Sequence, residues 1–533
     1  EGTMDYSYLN TIIFDTFYDM LSGRYTLSGK DIAVKYFRKD TVVEVTYEQM
    51  IRESACIFGY FAKRQIKDVN IAIFSENRYE YISIYLGLVL GNVVVPLDKE
   101  MDVETTRACL QKFDVKAVFY TNRTAGKLLA AGRDLGIEFI NIDEEYTHII
   151  GNGYSVEQFF ELTKDTPKDR FSVLASTSGT SGDMKGVMLS QYNIMTNIRG
   201  TLENNILRNP TMAFLPMNHT YGFNPCMLAT FYNGTTLCLS LEFKNLVRDL
   251  KEFNPSFFGA VPMVIEGIYN NIQREAARQK KDKLLKRMIK ISNVLLKVKI
   301  DVRHMFFGKL ICPNLRQIVN GGAALNPFYV ERFAELGIFI LNGYGLTECS
   351  PTIAVSREIK NVPGSSGWIM KHIEVKTAED GELLVKGPCV MLGYYKDEEA
   401  TQEVMTEDGY LKTGDIGYAE GKVLYVTGRK KNLIILGNGK NVSPEYLEAK
   451  LYELPYVKEC LVVEKKSDNK TSILLAKIFP DGEPRKFDRV RMETDLKRIN
   501  DNLASYMRID DYEIMEQEFE KTSTKKIKRN AYV

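Results

Sequence analysis

Stretches of helical periodicity alternate with short β-branched runs along the early part of this chain, and no other feature restricts its fold as much. Tyr47–Arg64 has helix spacing, Val69–Phe74 reads as a buried strand, Tyr79–Leu90 as a helix and Val93–Leu97 as a strand again. Such alternation of strands and helices predicts parallel sheets covered by helices. From Trp368 to Val426 the pattern changes to short strand-like pieces, Ile373–Lys376, Leu383–Lys386 and Val423–Val426, separated by glycine turns. That is a β-rich module, either a small barrel or a distorted sheet. After Gly428 a helix at Pro444–Leu454, strands near Cys460–Val463 and Ile473–Phe479, and a helix at Val490–Leu503 read as a small α+β unit. A length of 533 residues is too much for one core. The expected class is α/β: a large N-terminal domain over 4–428 with a β-rich part at 368–427, then a small mobile domain over 429–533.

The segment Ser176-Thr-Ser-Gly-Thr-Ser-Gly-Asp-Met-Lys-Gly186 follows the strand-like Phe171–Ala175. Its glycines let backbone N–H groups approach anionic oxygens, Thr177, Ser178, Thr180 and Ser181 add hydroxyl donors, and Lys185 adds a point charge. It reads as a loop that wraps an oligophosphate, with an ordinary polar turn as the alternative. A Walker A loop needs Ser or Thr directly after Gly-Lys, and here Met184 precedes the lysine and Gly186 follows it, which disfavours a P-loop kinase or GTPase.

Charge and cysteine usage exclude other classes. Lys plus Arg (70) nearly equals Asp plus Glu (69), so nothing global favours a nucleic acid partner. The eight cysteines form no Cys-x-x-Cys pair, against zinc and against a secreted disulfide frame, and fit reduced thiols in a cytoplasm. The longest apolar stretch, Ile82–Leu97, is interrupted by Asn92 and Pro96 and is shorter than the ~20 residues a spanning helix needs. Glu1-Gly2-Thr3 ahead of Met4 reads as a tag remnant, with no signal peptide expected.

Further motifs follow in order: Asn342-Gly-Tyr-Gly-Leu-Thr-Glu348, Lys412-Thr-Gly-Asp415, and Gly428-Arg-Lys-Lys431 leading to Lys526. With these the chain resembles the adenylate-forming superfamily of acyl-CoA synthetases, adenylation domains and luciferases, from about Tyr47 to Arg529. Phe74-Ser-Glu-Asn-Arg78, Leu215-Pro-Met-Asn-His-Thr-Tyr-Gly222 and Asn320-Gly-Gly-Ala-Ala-Leu325 make it most similar to the long-chain fatty-acyl-CoA synthetases.

The resemblance implies a two-step reaction. A carboxylate attacks the α-phosphate of MgATP to give acyl-adenylate and pyrophosphate, then the thiol of coenzyme A displaces AMP, a far better leaving group than oxide. It also implies roles. Thr177, Ser178, Gly179, Thr180 and Lys185 would hold the β- and γ-phosphates. Asn342, Gly343 and Tyr344 would form one wall of the adenine pocket and Gly321, Gly322 and Ala323 the other, small residues letting backbone approach a flat purine. Thr347 would touch the α-phosphate and Glu348 bind Mg²⁺, Asp415 and Arg429 would hold the ribose, and Lys526 would bridge the carboxylate and the α-phosphate. Lys431 occupies the hinge position, about which the small domain swings to exchange the Lys526 loop for Gly437–Asn441. Met184 and Glu520 stand where the family usually has proline, and Lys525 where it has glycine.

Asn218–Phe223 carries no carboxylate to pair with an amino group, which favours a plain fatty or aryl acid, with His219 and Phe223 near the carboxylate end of the pocket. His219 reads equally as an interior histidine. Each buried methylene adds ~0.8 kcal/mol, so ten would add roughly 8 kcal/mol towards selecting long chains. Lys280–Lys299 has eight basic residues and one acid, with Leu284, Met288, Ile291, Leu295 and Val298 at helical spacing. It matches a helix that lies on an anionic membrane, or one whose apolar stripe packs on the parent domain. Three functions stay open: a fatty-acyl-CoA synthetase, an acyl-carrier-protein ligase with the same first step, and a weakly active nucleotide-binding homologue.

Overall fold

The computed structural model describes residue 9 and residues 11–177, 184–308, 310–358, 360–436, 440–466, 472–521 and 527–532. Two sheets organise the larger part. A seven-stranded sheet runs, in spatial order, Gly393–Tyr394, Gly186–Ser190, Phe171–Ser176, Val93–Pro96, Asn70–Phe74, Val115–Tyr120 and Glu138–Asn141. From Phe171–Ser176 onward it is parallel, and its first two strands join antiparallel. Asn70–Phe74 and Val93–Pro96 are buried at every position, as strands covered on both faces must be.

The helix Tyr79–Leu88 is buried at nine of its ten positions. A helix apolar all round needs cover on every side. It follows Asn70–Phe74 of one sheet, and its Tyr79 ring stacks at 5.7 Å on Tyr36 of Ile32–Arg38, a strand of the other. Helices Tyr47–Ala62 and Gln191–Asn204 share the same large core.

The second sheet has thirteen strands. Parallel strands around Gln317–Asn320 and Phe257–Ala260 lead to Phe339–Gly345, where the pairing changes. Phe339–Asn342 pairs parallel with Gln317–Asn320, and Gly343–Gly345 pairs antiparallel with Thr352–Val355. The β-rich strands therefore neither close into a barrel nor stand alone. Gly367–Ile369, Val423–Arg429, Leu411–Glu420, Glu382–Lys386 and Glu374–Thr377 continue the large sheet as its antiparallel half.

Beyond Lys430–Asn432 the chain builds a three-stranded sheet, Val457–Lys466, Ser472–Pro480 and Asp511–Ile514, with helices Pro444–Tyr452 and Arg489–Asp501 sharing a separate core. This smaller unit is joined to the larger one through Ser443, whose hydroxyl donates to the Thr427 carbonyl at 2.7 Å, and through Asn326, whose amide donates to the Tyr452 carbonyl. A Cβ at Gly428 would lie 2.0 Å from Ser443 Oγ, so the glycine permits this approach. All eight cysteines are buried free thiols. Among the described residues no helix is long and apolar enough to cross a membrane.

Candidate active site

The partner switch in Phe339–Gly345 puts Asn342, Gly343 and Tyr344 at the carboxyl end of a parallel strand, beside the end of Gln317–Asn320 from which Gly321 and Gly322 emerge. Carboxyl ends of parallel strands are where open α/β sheets bind ligands. The two expected walls meet through Asn320, whose amide donates to the Ala323 carbonyl at 3.0 Å and to Asn342 Oδ1 at 3.2 Å. Gly322 has φ +82°, a conformation side chains rarely adopt. Gly321 is also required by a neighbouring side chain. A Cβ there would meet the Tyr221 ring at 2.5 Å, and Tyr221 is held by its hydroxyl, which donates to the Val319 carbonyl at 2.9 Å.

Tyr344 reaches the third motif. Its hydroxyl donates to Asp415 Oδ2 at 2.7 Å, and Arg429 Nε lies 3.1 Å from Asp415 Oδ1. Asp415 and Arg429 are direct cross-strand partners in Leu411–Glu420 and Val423–Arg429, so the ladder itself sets the ion pair. Asp415 is 3% exposed, whereas the Arg429 side chain is half exposed. Burial raises the Tyr344 phenol well above its ordinary value and the neighbouring carboxylate adds to that, so Tyr344 remains a donor at neutral pH.

A second cluster forms around Glu348, in the 3₁₀ turn Thr347–Cys349. Tyr394 donates to Glu348 Oε1 at 2.9 Å, and Lys185 Nζ stands 4.9 Å from the centre of the Tyr394 ring. Burial, then Glu348, push the Tyr394 phenol far up. The strand Gly393–Tyr394 pairs with Val187–Met188, bringing this tyrosine against the stem of the glycine-rich segment. The stem is closed by the Thr177 N–H, which donates to the Lys185 carbonyl at 3.0 Å. Ser178, Gly179 and Thr180 lie outside the described residues, as does Lys526. Met184 is anchored: its sulfur lies 3.3 Å from Cys109 Sγ, and its carbonyl accepts from Lys112 Nζ at 2.9 Å.

His219 is the N-cap of the short helix Thr220–Phe223, and Phe223 closes it, its N–H donating to the His219 carbonyl at 3.0 Å. Phe223 is buried in the main core, 4.2 Å from the Tyr85 ring and 5.9 Å from Tyr81. Lys431 is exposed in the turn Lys430–Asn432, whereas its neighbour Lys430 pairs with Asp380 at 2.6 Å and Glu382 at 2.7 Å.

The structure thus gathers most described site residues into two clusters, joined because Tyr344 and Glu348 are four residues apart on one segment. Tyr394 and Tyr221 were not anticipated from sequence. Tyr394 carries only a weak signal, a glycine followed by two tyrosines, which reads as ordinary core.

Comparison with known proteins gives a consistent picture. Residues 26–395 match the AMP-binding enzyme family and residues 446–526 the AMP-binding enzyme C-terminal domain. The long-chain-fatty-acid-CoA ligase FadD15 of Mycobacterium bovis is 30% identical over 429 residues, 74% of this chain and 70% of that protein. A long-chain-fatty-acid-[acyl-carrier-protein] ligase of Arabidopsis thaliana, AEE15, is 26% identical over 393 residues, 60% of this chain and 54% of that protein. Among solved structures, ATP-bound MatB from Rhodopseudomonas palustris superposes with a TM-score of 0.79 at 19% identity, covering 97% of this chain and 98% of its own.

Proposed function

The chain belongs to the AMP-binding enzyme family, and from that premise we propose that it joins a long-chain fatty acid to coenzyme A at the expense of ATP. A carboxylate oxygen attacks the α-phosphorus, the bond from that phosphorus to the bridging oxygen breaks, and pyrophosphate leaves. The coenzyme A thiol, losing its proton to solvent, then attacks the acyl carbon and AMP departs with the bonding pair. The observation that carries the reading is the convergence of Tyr344, Asp415 and Arg429 beside Glu348, Tyr394 and Lys185, groups drawn from motifs far apart in the chain.

In this reading the purine lies between Asn342–Tyr344 and Gly321–Ala323. The ribose diol donates to Asp415, whose oxygens already accept from Tyr344 and Arg429 in a fixed orientation. Thr347 contacts the α-phosphate, and Ser178, Gly179 and Thr180 together with Thr177 and Lys185 take the outer phosphates. Glu348 fits a magnesium ion, since it presents a carboxylate whose one oxygen is steadied by Tyr394. Magnesium typically pairs one or two carboxylates with substrate phosphates and water, and it would neutralise charge on those phosphates. Lys526 stabilises the charge that builds between carboxylate and α-phosphate, and Lys431 is the hinge. Phe223, packed in the core against Tyr81 and Tyr85, is read as the aromatic base of the apolar acyl site, with His219 at its carboxylate end.

Tyr394→Phe keeps the ring beside Lys185 and removes the hydroxyl from Glu348. The lost bond is one to a charged group, about 1.5–3 kcal/mol of stability, so the variant should melt lower, and at temperatures where it stays folded adenylation should fall roughly ten- to a hundredfold because Glu348 is no longer oriented. Pyrophosphate exchange measured against ATP concentration reads this directly, and an unchanged rate would reduce Tyr394 to a packing role.

The reading as a whole is tested by incubating the protein with MgATP, coenzyme A and acids from short to long chain, then identifying products by mass. Long-chain acyl-CoA is expected. A second acceptor is favoured by the resemblance to an acyl-carrier-protein ligase. Adenylate without thioester would point to it, and no ATP turnover with any acid would overturn both.

A further inference from the structure

The helix Asp282–Lys297 carries two apolar rows, and only one is used internally. Leu285, Met288 and Ile289 pack on Ile272, Phe307 and Leu336. Leu284, Ile291 and Val298 recur every seven residues with Val294 beside them, roughly a third of a turn away from the buried row. These four are 52%, 45%, 64% and 62% exposed. The chain that follows adds Ile300 at 52% and Met305 at 73% exposed. Lys283, Arg287 and Lys290 flank the exposed row on the side away from the core, and all three are exposed. No described carboxylate lies within ion-pairing distance of the eight cations of Lys280–Lys299. In a chain whose formal net charge is +1, this is a local segregation of positive charge next to uncovered apolar side chains.

We propose that this helix face docks the protein on an anionic lipid surface, with Leu284, Ile291, Val294 and Val298 entering the headgroup boundary and the adjoining cations meeting lipid phosphates. A helix lying in the interface buries such a row while its lysines extend their charged ends towards the headgroups. The charge decides between this occupant and a second copy of the chain. A twofold contact would place Lys283, Arg287 and Lys290 against the same cations of the other molecule, and like charges in apposition are unfavourable. The surface rests on exposure and charge alone, so it stands or falls separately from the reaction proposed above.

The test is co-sedimentation of the full chain, without ATP or acid, with vesicles of equal parts phosphatidylcholine and phosphatidylglycerol and with vesicles of phosphatidylcholine alone. The expected result is at least tenfold stronger partitioning to the anionic vesicles, weakening as salt is raised. Lys283→Gln, Arg287→Gln and Lys290→Gln together should lower it about 100-fold, at about 1 kcal/mol per cation. Ile291→Asn with Val294→Asn should lower it more than tenfold, and both variants should keep the thermal stability of the parent because all five side chains are exposed. Equal partitioning to the two vesicles, no partitioning to either, or variants that bind like the parent would overturn the proposal. A concentration-dependent dimer that is lost in the Ile291→Asn, Val294→Asn variant, with no vesicle binding, would overturn it in favour of a second copy.

Discussion

Lys526→Ala is expected to slow acyl-adenylate formation by about 100- to 1000-fold, the usual cost of removing one preorganised donor from developing negative charge. Thioester formation from supplied acyl-adenylate should stay near its normal rate, because the charge met by this cation builds only in the first half-reaction. Lys526, and not Lys525, is the one to test because it directly precedes Ile527 and Arg529, as the lysine does in the pattern of the family the chain resembles. Lys521 and Ile527 form an antiparallel bridge, and Lys521 is paired with Glu459 and Glu518. Ile527 packs beside Leu461, Val463 and Phe519, and Arg529 is clamped two residues further on. In sequence Lys526 directly precedes this isoleucine. Lys525→Ala should therefore leave both half-reactions within a few-fold of the parent. Pyrophosphate exchange for the first step and mass detection of acyl-CoA for the second separate the cases, and an equal loss in both steps for Lys526→Ala would remove the assignment.

Much of the fold could be read before the structure because local pattern and tertiary role agree. Val69–Phe74 reads as a buried strand and Tyr79–Leu90 as a helix, and the structure forms Asn70–Phe74 and Tyr79–Leu88 with nearly every residue buried. What stayed hidden depends on pairing between distant segments. Whether the strands from Gly367 onward form their own module is decided by Gly343–Gly345 choosing Thr352–Val355 as a partner, which no local periodicity encodes. Asp511–Ile514, the third strand of the small unit, is four residues long and half charged, too short to show alternation.

The site divides along the same line. The motifs shared with the family the chain resembles marked Tyr344, Asp415 and Glu348, for purine, ribose and metal respectively. Tyr394 and Tyr221 escaped because their positions come from tertiary contact: one from pairing of Gly393–Tyr394 with Val187–Met188, the other from the space left by Gly321. Of the stripe Leu284, Met288, Ile291, Leu295 and Val298 that spacing picks out, the structure packs Met288 on the parent domain and leaves Leu284, Ile291 and Val298 exposed, a split that only tertiary packing decides.

Arg529→Met is expected to destabilise the smaller unit by about 3–5 kcal/mol, the cost of leaving one member of a buried ion pair alone. Arg529 Nη2 lies 2.7 Å from both oxygens of Glu448, on the helix Pro444–Tyr452, and Nη1 donates to the Val462 carbonyl at 3.0 Å. Neither side chain is much exposed, at 16% and 9%. Burial raises the Glu448 carboxyl above its ordinary value, while Arg529 and the Val462 N–H pull it back. A carboxyl whose folded value lies above its unfolded value of about 4.3 gives stability that is present in acid and lost as pH rises through the folded value. Without Arg529 the folded value climbs further, so the variant should be least impaired in acid and progressively worse towards neutrality. Hydrogen exchange of the Pro444–Tyr452 amides, followed by mass spectrometry across that range, reads the local opening. Adding Glu448→Gln should flatten the pH dependence, because no buried carboxyl remains to titrate. Because Arg529 follows the Lys521–Ile527 bridge by two residues and ties this part of the chain to Glu448, Arg529→Met should also slow adenylation in the folded fraction, and Arg529→Lys should restore only part of it, since an ammonium lacks the guanidinium fork. A stability loss that does not change with pH would place the effect in packing of the arginine stem instead of in its charge.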